Sequence, residues 1–249
     1  MLDLVINTAK TTHNINWWQV ATPFITAIAS FGAVYFGAWL TDKRRKKEQH
    51  RFNINKAIIL HTLIELQMPA LIDYRDKILI SKLNAINLKN LTVATAKYPF
   101  SSWLLPINIK DYDFLINTNK GAMSALNQVL QYEEKLNNAI LVFNNFSLTD
   151  DERNAANSEY VYVSKIKSII ETLYDTCDSL IYFSTLLHRY LTYMLSDIYK
   201  ETITCSDKLM GIDLVTEAKN DEILFGWLKM LPENWHGARI AKEQNNNQN

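Results

Sequence analysis

The sequence predicts an all-α protein, with one N-terminal transmembrane helix followed by a cytoplasmic bundle of long helices with coiled-coil-like packing. Three observations carry that expectation. An uncharged apolar stretch ends in a dense lysine and arginine run. Apolar residues then recur at intervals of three and four over most of the remaining chain. Strand-like alternation is missing, and only 6 glycines and 5 prolines punctuate the 249 residues.

Residues 1–16 read as a short extracytoplasmic tail whose charges are Asp3, Lys10 and the titratable His13. Residues 17–41 read as the membrane helix, its apolar centre running from Ala21 to Leu40, with no Asp, Glu, Lys or Arg between Lys10 and Asp42. About 20 such residues at roughly 1.5 Å each span a hydrocarbon layer of about 30 Å. Trp17 and Trp18 at one end and Trp39 at the other suit the two interfaces, where amphipathic indoles settle. Thr22 followed by Pro23 has the form of an N-cap and first helical residue. The run Lys43, Arg44, Arg45, Lys46, Lys47 follows at once. Positive residues are retained on the cytoplasmic side, so the N-terminus is expected outside and the body inside, and the five cations meet anionic headgroups. Within the span Ala29, Ala33 and Gly37 form a ridge of small residues beside the hydroxyls of Thr22, Thr26 and Ser30, the pattern that lets helices approach in lipid. A homo-oligomer is the expectation from that face.

Residues 42–212 are expected to hold the basic collar and the bundle. A stripe of Ile54, Ala57, His61, Ile64, Met68, Leu71 and Ile78 continues the membrane helix through the collar, with Pro69 expected to kink or divide it. Lys97 to Pro106, KYPFSSWLLP, reads as an aromatic loop. A second stripe, Leu115, Ala122, Leu126, Val129, Leu136, Ile140 and Phe143, predicts a helix from Asp111 to Asn145, interrupted at Asn119 and Glu133. The longest stripe runs Val163, Ile166, Ile170, Leu173, Cys177, Leu180, Ser184, Leu187, Leu191, Met194, Ile198 and predicts a helix from Asn154 to about Lys200. Thr149 with Glu152 would cap an earlier start. The seam packs either within the chain or between copies. Residues 213–249 are expected to form a short amphipathic helix, Asp221 to Leu231, and a disordered tail ending EQNNNQN.

Composition narrows the function classes. The 26 basic residues balance the 26 acidic ones, so no global positive field argues for nucleic acid, and none is expected as a partner. Cys177 and Cys205 stand apart, without metal-ligand spacing or a disulfide framework. Abundant asparagine, isoleucine and lysine suggest an AT-rich bacterial genome, hence the bacterial cytoplasmic (inner) membrane.

The chain carries no phosphate-cradling glycine loop, HExxH, GxSxG or paired ExxH, so no cofactor and no metal is expected. His61 and Glu65, one helical turn apart, have the types of a base and its orienter or of two metal ligands. The reading favoured by their apolar face is a core histidine bonded to Glu65. His188 beside Arg189 reads as a packed polar side chain. Arg45 and His50 have the R-x4-H spacing that resembles the ribonuclease motif of HEPN domains, themselves helical bundles. The resemblance covers six residues and implies phosphate stabilisation by Arg45 and proton transfer by His50. Asp213, Glu217 and Lys219 have the residue types of a nuclease constellation that belongs on a sheet, and no strand pattern surrounds them.

The functional expectation is a non-enzymatic single-pass membrane protein. Its partners are the bilayer, further copies of itself, and a protein or small signalling ligand sensed by the body. A bacterial stress or antiphage (antiviral) membrane effector is one form of that expectation. A membrane-tethered HEPN-like ribonuclease and an accessory subunit docked on a larger membrane complex are the alternatives.

Overall fold

The computed structural model describes residues 17–97, 105, 107–149, 154, 158–203, 214, 226 and 228–229, and for residues 17–21, Phe24 and Ile25 the backbone alone. The tail 1–16, the body of the aromatic loop, the capping box at Glu152, Cys205, the trio Asp213, Glu217 and Lys219, and most of 204–249 lie outside the described residues. Among the described residues the fold is all-α, a helical bundle without strands. The chain divides into two units, Met1–Phe52 and Asn53–Asn249.

The first unit is described by the opening part of α1 (Trp17–Asp73). Its large side chains Ile28, Phe31, Val34, Tyr35, Phe36 and Trp39 are all exposed. Hydroxyls turn inward on the helix itself: Thr26 Oγ1 donates to the Thr22 carbonyl and Thr41 Oγ1 to that of Gly37, both at 2.8 Å, which hides polar groups without a partner helix. Lys43 lies 5.0 Å over the Trp39 ring, and Lys46 pairs with Asp42 at 2.7 Å. Among the described residues no helix is long and apolar enough to cross a membrane. The expected span is therefore not part of what the described fold establishes.

In the second unit α1 turns one face to the core. Ile54, Ala57, Leu60, Ile64, Met68 and Leu71 are buried at helical spacing, and His61 is buried among them. Pro69 does not divide the helix, which continues to Asp73. Six residues of π-helix, Tyr74–Leu79, then widen the chain before α2 (Ile80–Asn87). Arg75 in this wide turn reaches Asp178 at 2.6 Å and ties it to α6 (Ser158–Tyr193). Asn90 caps the short α3 (Leu91–Thr95) by accepting from Val93 N–H. At the other end of α3 the buried Lys82 ammonium donates to the carbonyls of Val93, Ala94 and Ala96.

The helix expected from Asp111 to Asn145 is three pieces: a 3-10 turn (Ile109–Tyr112), α4 (Phe114–Thr118) and α5 (Lys120–Asn145). The break falls at Asn119, whose backbone is extended and whose side chain accepts from Ala122 N–H, so it starts a helix rather than continuing one. α5 packs closely on α6. A Cβ at Gly121 would come within 2.6 Å of the Tyr190 hydroxyl, so only glycine admits this approach. The stripe on α6 is single only as far as Leu180. From Leu180 to Thr192 every residue is buried, and a π-helical segment, Met194–Ile198, closes the helix before Lys200 at φ 59°. A helix covered on all sides belongs at the centre of the bundle, not at its edge.

Candidate functional site

At the centre of the second unit three ligand-type side chains meet. His61 and Glu65 stand one turn apart on α1, and His188 faces them from the fully covered part of α6. Their ligand atoms all lie within 4.8 Å of one another. The two imidazoles stack at 4.2 Å between centroids, their planes inclined by 29°. His61 is 2% exposed and His188 0%, while the Glu65 side chain keeps 21% of its surface and opens the cluster on one edge.

The hydrogen bonds fix the protons. Thr192 Oγ1 donates to the His188 carbonyl at 2.8 Å, which uses the hydroxyl proton, so His61 Nε2–H donates to Thr192 Oγ1 at 3.0 Å. His188 Nε2–H donates to Glu65 Oε1 at 3.0 Å. Each neutral ring then carries its lone pair on Nδ1. His188 Nδ1 is buried without a hydrogen-bond partner. Burial first, then the neighbouring His61, pushes the His188 imidazole down to about 4, against the pull of Glu65. Burial likewise lowers His61. Both rings are neutral near pH 7, the form in which imidazole binds metals or accepts protons.

A second buried polar cluster lies on α5. Glu133, 0% exposed, accepts from Leu105 N–H at 3.0 Å and from Gln67 Nε2 at 3.1 Å. Burial pushes its carboxyl up to about 7, although both hydrogen bonds pull it down. Cys177 is buried, its thiol directed at the Leu71 carbonyl at 3.8 Å and pushed up to about 12 by burial, so it acts as a small core residue. Two open cavities lie elsewhere on this unit. One, of about 390 Å³, is lined by Asp76, Ser81, Asn84 and Asn90 among others; the second, of about 470 Å³, by Lys89, Glu159, Tyr160 and Val163 among others.

The residues singled out from sequence fall in different places. Ala29, Ala33 and Gly37 are exposed on one helix, with nothing within 4 Å of a Cβ at Gly37. Trp39 and the collar Lys43, Arg44, Arg45, Lys46 and Lys47 are also exposed, whereas the indoles of Trp17 and Trp18 lie outside the described side chains. Arg45 and His50, the pair of the HEPN-like spacing, sit exposed on α1 in the first unit, and neither of the two cavities above is lined by them. His61 and Glu65 are brought together with His188, but the bond expected between His61 and Glu65 goes instead from His188 to Glu65. Sequence reading missed the convergence because His188 stands 123 positions from Glu65. The signal available was a polar pair, His188 and Arg189, inside an otherwise apolar segment of the most buried helix. Comparison with protein-family models, with curated proteins and with solved structures gives no match for this chain, so its functional reading rests on these geometries alone.

Proposed function

We propose that this chain is a non-enzymatic single-pass membrane protein, with the segment 17–41 in the bilayer, the N-terminus outside, and the helical body on the cytoplasmic side. The observation that carries the reading is the exposure of Ile28, Phe31, Val34, Tyr35, Phe36 and Trp39 on a helix without a protein neighbour to cover them. At 100° per residue these six spread over about 200° of the circumference. An apolar arc that wide is more than one packed protein face uses, and it suits lipid. The full run read from the sequence adds Phe24 and Ile25, and no Asp, Glu, Lys or Arg interrupts it from Thr11 to Thr41. The collar from Lys43 to Lys47 follows immediately, as headgroup contact and inward retention require.

The remaining arc of the same helix holds Thr26, Ala29, Ser30, Ala33 and Gly37, with Leu40 at its C-terminal end. Large residues to lipid and small ones to a neighbour is the division that membrane helices use when they associate, so the reading includes a homo-oligomer held through this ridge. The body then serves as the cytoplasmic part that binds a protein or small ligand and passes the event to the assembled helices. Native mass in nanodiscs tests the assembly. The full chain should give a defined oligomer, and Gly37→Leu with Ala33→Leu should reduce it to a monomer while leaving it in the membrane. A monomeric wild type, or an oligomer indifferent to both substitutions, contradicts it.

A further inference from the structure

We infer that His61, Glu65 and His188 form a binding site for one divalent first-row transition ion, of the Zn²⁺ or Fe²⁺ class, buried in the helical body. Two imidazole nitrogens and one carboxylate oxygen from two helices are the donor set such ions take, leaving further positions for water. Hard cations such as Mg²⁺ prefer an all-oxygen shell and do not suit two imidazoles.

Two features go beyond the bare cluster. His188 Nδ1 is a lone pair enclosed in the core with nothing to bind, and buried polar atoms left so are costly unless something occupies them. Thr192, outside the ligand set, also holds the Nε2–H of His61, which is how proteins fix the tautomer of a metal-binding histidine. The charges facing the site are the Glu65 carboxylate and the Arg189 guanidinium, whose field on His188 is the weaker of the two.

The stacked arrangement is not itself the loaded geometry. Lone pairs lie in the ring planes, and planes inclined by 29° at 4.2 Å do not aim both nitrogens at one ion about 2.0–2.1 Å from each. Loading turns at least one imidazole and breaks the His188 to Glu65 hydrogen bond: Glu65 then binds the ion through a carboxylate oxygen and His188 through Nδ1, its ring proton staying on Nε2. The exposed edge of Glu65 is the route of entry.

The test is a titration of the purified full chain in detergent, stripped with a chelator, with Co²⁺ alone followed by its visible d–d absorption. One saturable equivalent with the spectrum of nitrogen and oxygen ligation is expected, displaced by Zn²⁺. His61→Gln and His188→Gln should each weaken binding at least about 100-fold. Thr192→Val, which removes the acceptor holding the His61 ring together with the hydroxyl's bond to the His188 carbonyl, should weaken it about 10-fold with the Co²⁺ spectrum kept. Helical circular dichroism is recorded on every sample. A folded wild type that takes up no saturable equivalent overturns the assignment, and so does binding that survives the double histidine variant, because the ion is then held elsewhere. Neither result bears on the membrane reading, which does not involve these residues.

Discussion

Glu133 shows how a single buried acid couples this fold to pH. Its carboxyl is raised from 4.5 to about 7 by burial, so the folded protein holds a proton there that the unfolded chain gives up near 4.5. Stability from this group is therefore full below about 4.5, falls as pH rises to about 7, and is flat above that. The loss is about 3 kcal/mol, from roughly 1.36 kcal/mol per pH unit. His61 and His188 are lowered by burial and slope the other way, His188 between about 4 and 6.5, so the whole-protein profile hides both trends. The difference between wild type and Glu133→Gln isolates one. The Tm of Glu133→Gln relative to wild type should climb between pH 4.5 and 7.5, measured by circular dichroism melts. A constant difference would mean that Glu133 keeps an ordinary carboxylate affinity. Gly121 is a second residue with a defined role. Gly121→Ala drives a methyl into the Tyr190 ring and should cost about 1–3 kcal/mol in denaturant melts, since the facing residue is fully buried.

At the scale of elements, what could be read in the sequence depended on whether the cause was local. The stripe from Ile54 to Leu71 and the stripe on α5 were legible because side chains at helical spacing report their own burial. Asn119 and Glu133 were visible as interruptions, but a sequence shows only that an apolar residue is missing. It does not show that Asn119 caps α5 or that Glu133 holds Leu105. α6 was legible as a helix and not as the central one. Its seam accounts for Leu180, Ser184 and Leu187, whereas the burial of Tyr182, Thr185 and Arg189 depends on helices that arrive from elsewhere in the chain. At Pro69 the expected division does not occur: α1 continues to Asp73, and the π-helical irregularity follows at Tyr74–Leu79. The His61, Glu65 and His188 meeting was half legible, since only the pair on α1 lies within one turn. Lys82 illustrates an element held by one side chain. Its ammonium serves the last carbonyls of α3 and lies 4.8 Å over the Phe143 ring. Lys82→Met should cost about 2–3 kcal/mol, because charged hydrogen bonds are lost and buried acceptors stay behind. Amide exchange should accelerate first in Leu91–Thr95; uniform acceleration across the bundle would show that the lysine has no local task.

For the whole molecule, the two units pose different physical problems. The second builds a hydrophobic core of its own, with Leu214 and Leu228 among the buried residues, although side chains such as Leu66 and Leu88 stay exposed. The first presents its apolar side chains on a single helix and has no core among the described residues. In water that exposure is unfavourable by roughly 25 cal/mol for each Å² of apolar surface, and a bilayer removes it. The basic collar sets the sign of the surface it meets and is sensitive to salt, whereas the apolar arc is not. Washing membranes with high salt should therefore leave the protein in place, and release by salt alone would reduce the attachment to headgroup contact. The most direct measurement is alkaline carbonate extraction of membranes containing the full chain, beside the variant Phe31→Arg with Val34→Arg. Each arginine at the centre of a spanning helix costs about 2.5–3.5 kcal/mol, enough together to prevent insertion. The account predicts wild type in the membrane pellet and the double variant in the supernatant. Wild type released by carbonate would contradict it, and would show that the exposed arc of α1 is covered by protein, not by lipid.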